Sequence, residues 1–175
     1  MGTSIFHGKL GDSAYEAVAK QQYNLVTAEK ARKWSTVEAE QGKFDFKKCD
    51  DIRDFALKDM GGVFRGHRLV SAHSAPNWQQ KLSPSKKKAA LINHVKTVAA
   101  HYDGDAFAWD VVNEAIVGDD SAKDPLRKSV WYPDIPDYID VAFRAAREAT
   151  SAKLFYNDYG ADSTTHKKAK RVYDL

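Results

Sequence analysis

The feature that most constrains this chain is an alternation. Short apolar runs at residues 3–7, 23–28, 63–70, 107–113 and 153–157 read as strands. Longer segments with helical spacing follow them at 13–22, 50–60, 85–102, 137–150 and 163–174. Strands separated by helices of this length do not pair through tight hairpins. They form a mostly parallel sheet covered by helices. Two architectures satisfy that pattern, an open doubly wound sheet and a (β/α) barrel. A full barrel takes about 250 residues, whereas the 175 residues here supply five βα units. The barrel reading therefore makes residues 1–175 one α/β domain, a partial TIM (β/α)8-type barrel. Its first and fifth strands would be unpaired edges, open to self-association.

Composition removes several function classes. No run of eighteen apolar residues is present, so no membrane span is expected. The first residues lack the basic and apolar segments of a signal peptide. The net charge of +3 is spread out except at Lys86-Lys87-Lys88, which reads as a solvated helix face and not as a nucleic-acid patch. No zinc-type spacing, Walker loop or dinucleotide fingerprint appears, so no metal or cofactor is expected. Cys49 is the only cysteine and excludes an intrachain disulfide. Flanked by charged residues at a helix start, it reads as an inert small residue. His94, His101 and His166 lie on expected helices and read as surface residues.

The chemistry concentrates in Ala108-Trp109-Asp110-Val111-Val112-Asn113-Glu114. A buried-type strand ends there in an amide and a carboxylic acid. Barrel enzymes place catalytic groups at the C-terminal ends of strands. An acid there, beside an amide able to bond a sugar hydroxyl, points to glycoside hydrolysis. That reaction needs one carboxyl to protonate the leaving oxygen and a second across the sugar. Asp110, in mid-strand, reads as a structural carboxylate needing a partner such as His67 or Lys33.

Several segments together resemble glycoside hydrolase family 10, the endo-1,4-β-xylanases, whose fold is a (β/α)8 barrel. Trp109 to Glu114 resembles the family's acid/base signature. Arg65-Gly66-His67 with Leu69-Val70 resembles its third strand, and Pro76-Asn77-Trp78 the loop beyond. Val26-Thr27-Ala28-Glu29, Lys33-Trp34 and Glu38 resemble its second strand and the following turn. Gln41 to Phe46, Ala152-Lys153-Leu154 and Asn157-Asp158-Tyr159 complete the likeness. The resemblance implies a secreted enzyme acting on β-1,4-xylan or xylo-oligosaccharides without a cofactor. It implies Glu114 as general acid/base and Asn113 as ligand of the sugar 2-hydroxyl. Lys33, Glu29 and His67 would line glycone subsites, with Tyr159 and Trp78 near the cleft. His67 reads equally as a satisfied core histidine.

The chain also departs from the family pattern. Lys30 stands where the family has Asn after Glu29. Ser71-Ala72-His73-Ser74 stands where a Trp-His pair is usual. Unless the register shifts, strand alternation would turn His73 to the opposite face, away from the cleft. The family's nucleophile is a Glu on a seventh strand, outside the five units read here. Three functions follow. One is a xylanase half-site completed by a complementary barrel fragment or by the sequence of the remaining units. A second is a non-catalytic folding or assembly module, supported by Lys30, Arg32 and Ser71 to Ser74, polar or small residues where an intact cleft would need Asn, Trp and His. The third is a sugar-binding pseudoenzyme.

Overall fold

The computed structural model describes residues 1–73, 75–119, 121–162 and 166–175. The chain opens with β1 (Gly2–Phe6) and α1 (Ser13–Gln22). Next come β2 (Leu25–Glu29), the single turn α2 (Trp34–Val37) and α3 (Lys47–Asp54). β3 (Val63–Ser71), a second single turn α4 (Asn77–Gln80) and the long α5 (Pro84–His101) follow. β4 (Ala106–Asn113), α6 (Tyr138–Ala149), β5 (Lys153–Asn157) and α7 (Lys167–Tyr173) complete the order. Asp12 starts α1 by accepting from the Tyr15 amide at 3.2 Å, which satisfies one of the helix's orphan donors. Pro84 at the first turn of α5 has no amide hydrogen to lose there. Residues 55–59 extend α3 in a wider π-type turn. The final helix was expected from residue 163; 163–165 lie outside the described residues.

The five strands pair in chain order, β1-β2-β3-β4-β5, and every pairing is parallel. A doubly wound sheet reverses its strand order at a switch point. Here the order never reverses. Right-handed crossovers then bring every helix to one face of the sheet, the arrangement of consecutive barrel staves. The fold is thus α/β with five strands of a (β/α)8-type barrel. Among the described residues β1 pairs only with β2, and β5 only with β4.

The two faces of the sheet differ chemically. Ile5, Val26, Phe64 and Trp109 point into the helix layer with Ile52, Leu91, Val95, Val98 and Tyr102. At Gly66 a side chain would run into the Trp109 ring, since a Cβ there would sit 2.0 Å from it. The opposite face carries Ser4, Thr27, Arg65, His67, Asp110 and Phe155, which share strand registers. Arg65 lies 4.7 Å from the centre of the Phe155 ring.

Three expectations are corrected in the helix layer. His94 is fully buried, stacked on Trp34 at 3.6 Å, with Nδ1 2.8 Å from Glu38. It sits on the apolar stripe of α5 beside Leu91 and Val98, and Glu38 makes its burial tolerable. Lys87 is not a solvated residue; it is 7% exposed and pairs with Asp134 at 2.5 Å, while Lys88 pairs with Asp137. These contacts, with the buried Trp131 indole donating to the Ser71 carbonyl at 2.9 Å, fasten the long β4–α6 connection onto the core. Arg32 belongs to the core and not to a cleft. Its guanidinium is completely buried 4.9 Å from the Trp109 ring, and none of its nitrogens has a hydrogen-bond partner among the described residues. Cys49 is buried, and burial pushes its thiol up.

Two stability measurements follow. An uncompensated buried charge opposes folding, so Arg32→Met is expected to stabilise by about 2 kcal/mol. A urea midpoint unchanged or lowered in the variant would refute that account. The second concerns pH. Burial, aided by the Arg32 charge, holds His94 well below its ordinary value near 6.5. The unfolded chain therefore takes up a proton that the native imidazole refuses as pH falls through that value. His94's share of the stability should fall from pH 7 to pH 5 by up to about 1.4 kcal/mol per pH unit, against an opposite share from Glu38, whose raised carboxyl takes up its proton earlier in the folded state. His94→Gln should flatten that slope, and an identical slope in both proteins would contradict it.

Candidate active site

Glu114 is the first residue after β4 and adopts a left-handed backbone, φ 57°, a region that non-glycine residues populate sparsely. Its neighbours hold it there. The Glu114 amide donates to the Asn157 carbonyl at 2.9 Å, and its carbonyl accepts from Arg127 Nε at 3.1 Å. The next two amides, of Ala115 and Ile116, donate to the Tyr156 hydroxyl at 3.0 and 3.2 Å. Tyr156 donates in turn to Asp158 at 2.5 Å. Burial and then that hydrogen bond push the Tyr156 phenol up. Asp158 also accepts from Lys168 at 2.7 Å, and both side chains are buried. The backbone that presents Glu114 is thus clamped by β5 and its following loop, while the Glu114 side chain stays 34% exposed. Asn113 is buried, and its Oδ1 accepts from Asn157 Nδ2 at 2.7 Å.

The alternation argument about His73 fails. β3 shifts register between His67 and Val70 and ends at Ser71. Residue 73 lies beyond the strand, and its Nε2 stands 3.7 Å from Glu114 Oε2. Ser74 lies outside the described residues. Arg68 joins the group. Burial pulls its guanidinium below the ordinary value, with the Glu114 charge acting the other way.

Asp110 is the structural carboxylate the sequence suggested, and its partner is His67 together with Arg65, not Lys33. His67 Nδ1 lies 2.9 Å away, and Arg65 approaches through two nitrogens. Burial opposes ionisation, but these hydrogen bonds hold the Asp110 carboxyl below the usual range. His67 is therefore satisfied by hydrogen bonds, but it lines a cavity with its side chain 32% exposed and is not a core histidine.

That cavity, about 230 Å³, opens at the ends of β1, β2 and β3. It brings together Glu29, Lys33 and His67, with Lys30 and Arg68. Two other sequence-predicted residues stand apart from it. Tyr159 is 54% exposed; its hydroxyl accepts from Arg127 Nη2 at 3.0 Å, which ties it to the Glu114 clamp. Trp78 is half-buried, donates to the Glu38 carbonyl at 3.3 Å and packs against the core. Among the described residues no group of three or more His, Cys, Asp or Glu is arranged to hold a metal ion. Arg127, Tyr156 and Lys168 escaped the sequence reading. The one available signal was a tyrosine and an aspartate flanking Asn157 at the end of a strand.

The family model described as Glycosyl hydrolase family 10 matches residues 1–175. A β-1,4-xylanase from Dictyoglomus thermophilum is 37% identical over 178 aligned positions, covering all of this chain and 48% of that protein. Native xylanase 10B from Thermotoga maritima superposes with a TM-score of 0.90 at 34% identity, over 99% of this chain and 54% of that one. Xylanase 10B from Thermotoga petrophila, in complex with xylobiose, gives 0.90 at 33% identity, over 99% and 53%. The chain spans about half the length of these relatives.

The clamp yields a prediction. Asp158→Ala leaves Lys168 buried without its partner, and breaking such a pair costs about 3–5 kcal/mol. Chemical denaturation should show a loss of that order, and amide exchange at Ala115 and Ile116 should accelerate. A loss below about 1 kcal/mol with unchanged exchange would show that the clamp is not needed.

Proposed function

The chain belongs to glycosyl hydrolase family 10, and on that premise we propose that it carries the acid/base half of a retaining endo-1,4-β-xylanase site. Glu114 donates a proton to the departing glycosidic oxygen and later takes one from the incoming water. Asn113 bonds the sugar's 2-hydroxyl. Glu29, Lys33 and His67 hold the glycone side of the chain. The observation that carries this reading is the clamped backbone at Glu114, which presents one carboxyl at a strand end with its direction fixed on both sides. The substrate class is the β-1,4-linked xylan named for the relatives, and extracellular action belongs to the same proposal.

Neither Asp110 nor Asp158 is available as the second carboxylate. Asp110 is held by Arg65 and His67, and Asp158 by Lys168 and Tyr156. Retaining chemistry needs that group about 5–5.5 Å from the acid. We infer that the remaining βα units of the barrel, in whatever polypeptide carries them, supply it by pairing at the β1 and β5 edges.

The test is reducing-sugar release from xylan by the chain alone and mixed with such a polypeptide. Turnover is expected in the mixture, falling by roughly 10²–10⁴ in Glu114→Gln. Turnover in the mixture that Glu114→Gln leaves intact would overturn the assignment.

A further inference from the structure

The cavity at the ends of β1, β2 and β3 has an unusual charge for a site that holds neutral sugars. Lys30, Lys33 and Arg68 line it together with His67, and Glu29 is the one carboxylate in that lining, while Glu114 acts on Arg68 and Asp110 holds His67 from outside it. Lys30 and Lys33 have no ion-pair partner among the described residues. The Lys30 ammonium instead lies 5.8 Å from the Phe6 ring. An adjoining cavity of about 270 Å³ shares Glu29 and Lys30 and adds Lys48 and the Phe6 ring, which is 42% exposed. Cations crowded along a concave surface repel one another and concentrate positive potential in it. A ligand anion removes that repulsion.

Resting on the sugar-binding reading above, we propose that this cavity takes an acidic sugar, a uronate unit carried on the glycan. A uronate matches the mixed lining. Its carboxylate accepts from Lys30 and Arg68, while its hydroxyls donate to Glu29, and Ser4 and Thr27 supply further hydroxyl partners at the rim. Inorganic phosphate matches less well, because Glu29 repels its higher charge and it brings no array of sugar hydroxyls to Glu29, Ser4 and Thr27. Lys30 is the specificity residue of the group. It is exposed and stands at φ 57°, a conformation that asparagine also tolerates, so Lys30→Asn removes the charge without disturbing the backbone.

The experiment is titration calorimetry of the whole chain with a xylo-oligosaccharide bearing one uronate and with its neutral counterpart. Free glucuronate and inorganic phosphate serve as competitors. The acidic oligosaccharide is expected to bind at least about tenfold tighter, through charge-assisted hydrogen bonds. That preference should shrink at high salt and collapse in Lys30→Asn while neutral binding persists. Equal affinity for the two oligosaccharides would overturn the proposal and leave the sugar-binding reading intact. So would phosphate competing as strongly as glucuronate, or a preference surviving in both Lys30→Asn and Arg68→Gln. Binding of neither oligosaccharide would sink the sugar-binding reading and this proposal with it.

Discussion

Everything in this structure depends on five strands pairing in parallel and in chain order. That single constraint sends each crossover to the same side. It leaves one sheet face packed under helices and the other lined by Ser4, Thr27, Arg65, His67 and Asp110. It also collects the C-terminal ends of all the strands at one rim, where Glu29, Arg68, Asn113, Glu114 and Asn157 gather. A barrel places its chemistry at that rim because side chains there leave a rigid scaffold on loops free to vary. The charged inner face follows from the same geometry. Buried between strands, Asp110 is tolerable because Arg65 and His67 come to it from the neighbouring strand.

The buried polar groups divide by what they support. Asp158, Tyr156 and Lys168 hold the segment after Glu114, so their effect reaches the acid through backbone amides and not through direct contact. Glu38 and His94 pair in the helix layer, where burial pushes the Glu38 carboxyl up and the imidazole down, favouring a neutral hydrogen-bonded pair. Among the described residues Arg32 has no such partner. Its contact with the Trp109 ring offsets part of the cost of burial, and nothing else in the structure explains its presence there.

The fold was legible because periodicity reports directly on burial. The strand at 153–157 and the helix at 13–22 fall at the predicted residues, and the others differ by a few residues at their ends. The place of Asn113 and Glu114 at the end of β4 was legible because the apolar run of that strand stops there. What escaped was set by tertiary contacts. His94 and Lys87 look like surface residues until Glu38 and Asp134, distant in sequence, come to meet them. His73 was misread because alternation holds only while a strand lasts, and β3 shifts register and stops at Ser71. Trp78 carries an aromatic ring suited to sugars, but its indole N–H is engaged by Glu38. No local pattern in the sequence announces that contact.

The most direct test of the central claim, that Glu114 stands preformed at a sugar-binding rim, is a nuclear magnetic resonance titration of the labelled chain with xylobiose. The Glu114 amide, the Asn113 carboxamide and the side chains of Lys33 and His67 should shift together along one saturation curve. Shifts confined to the helix-covered face, or no shift in those four residues at saturating xylobiose, would contradict the account.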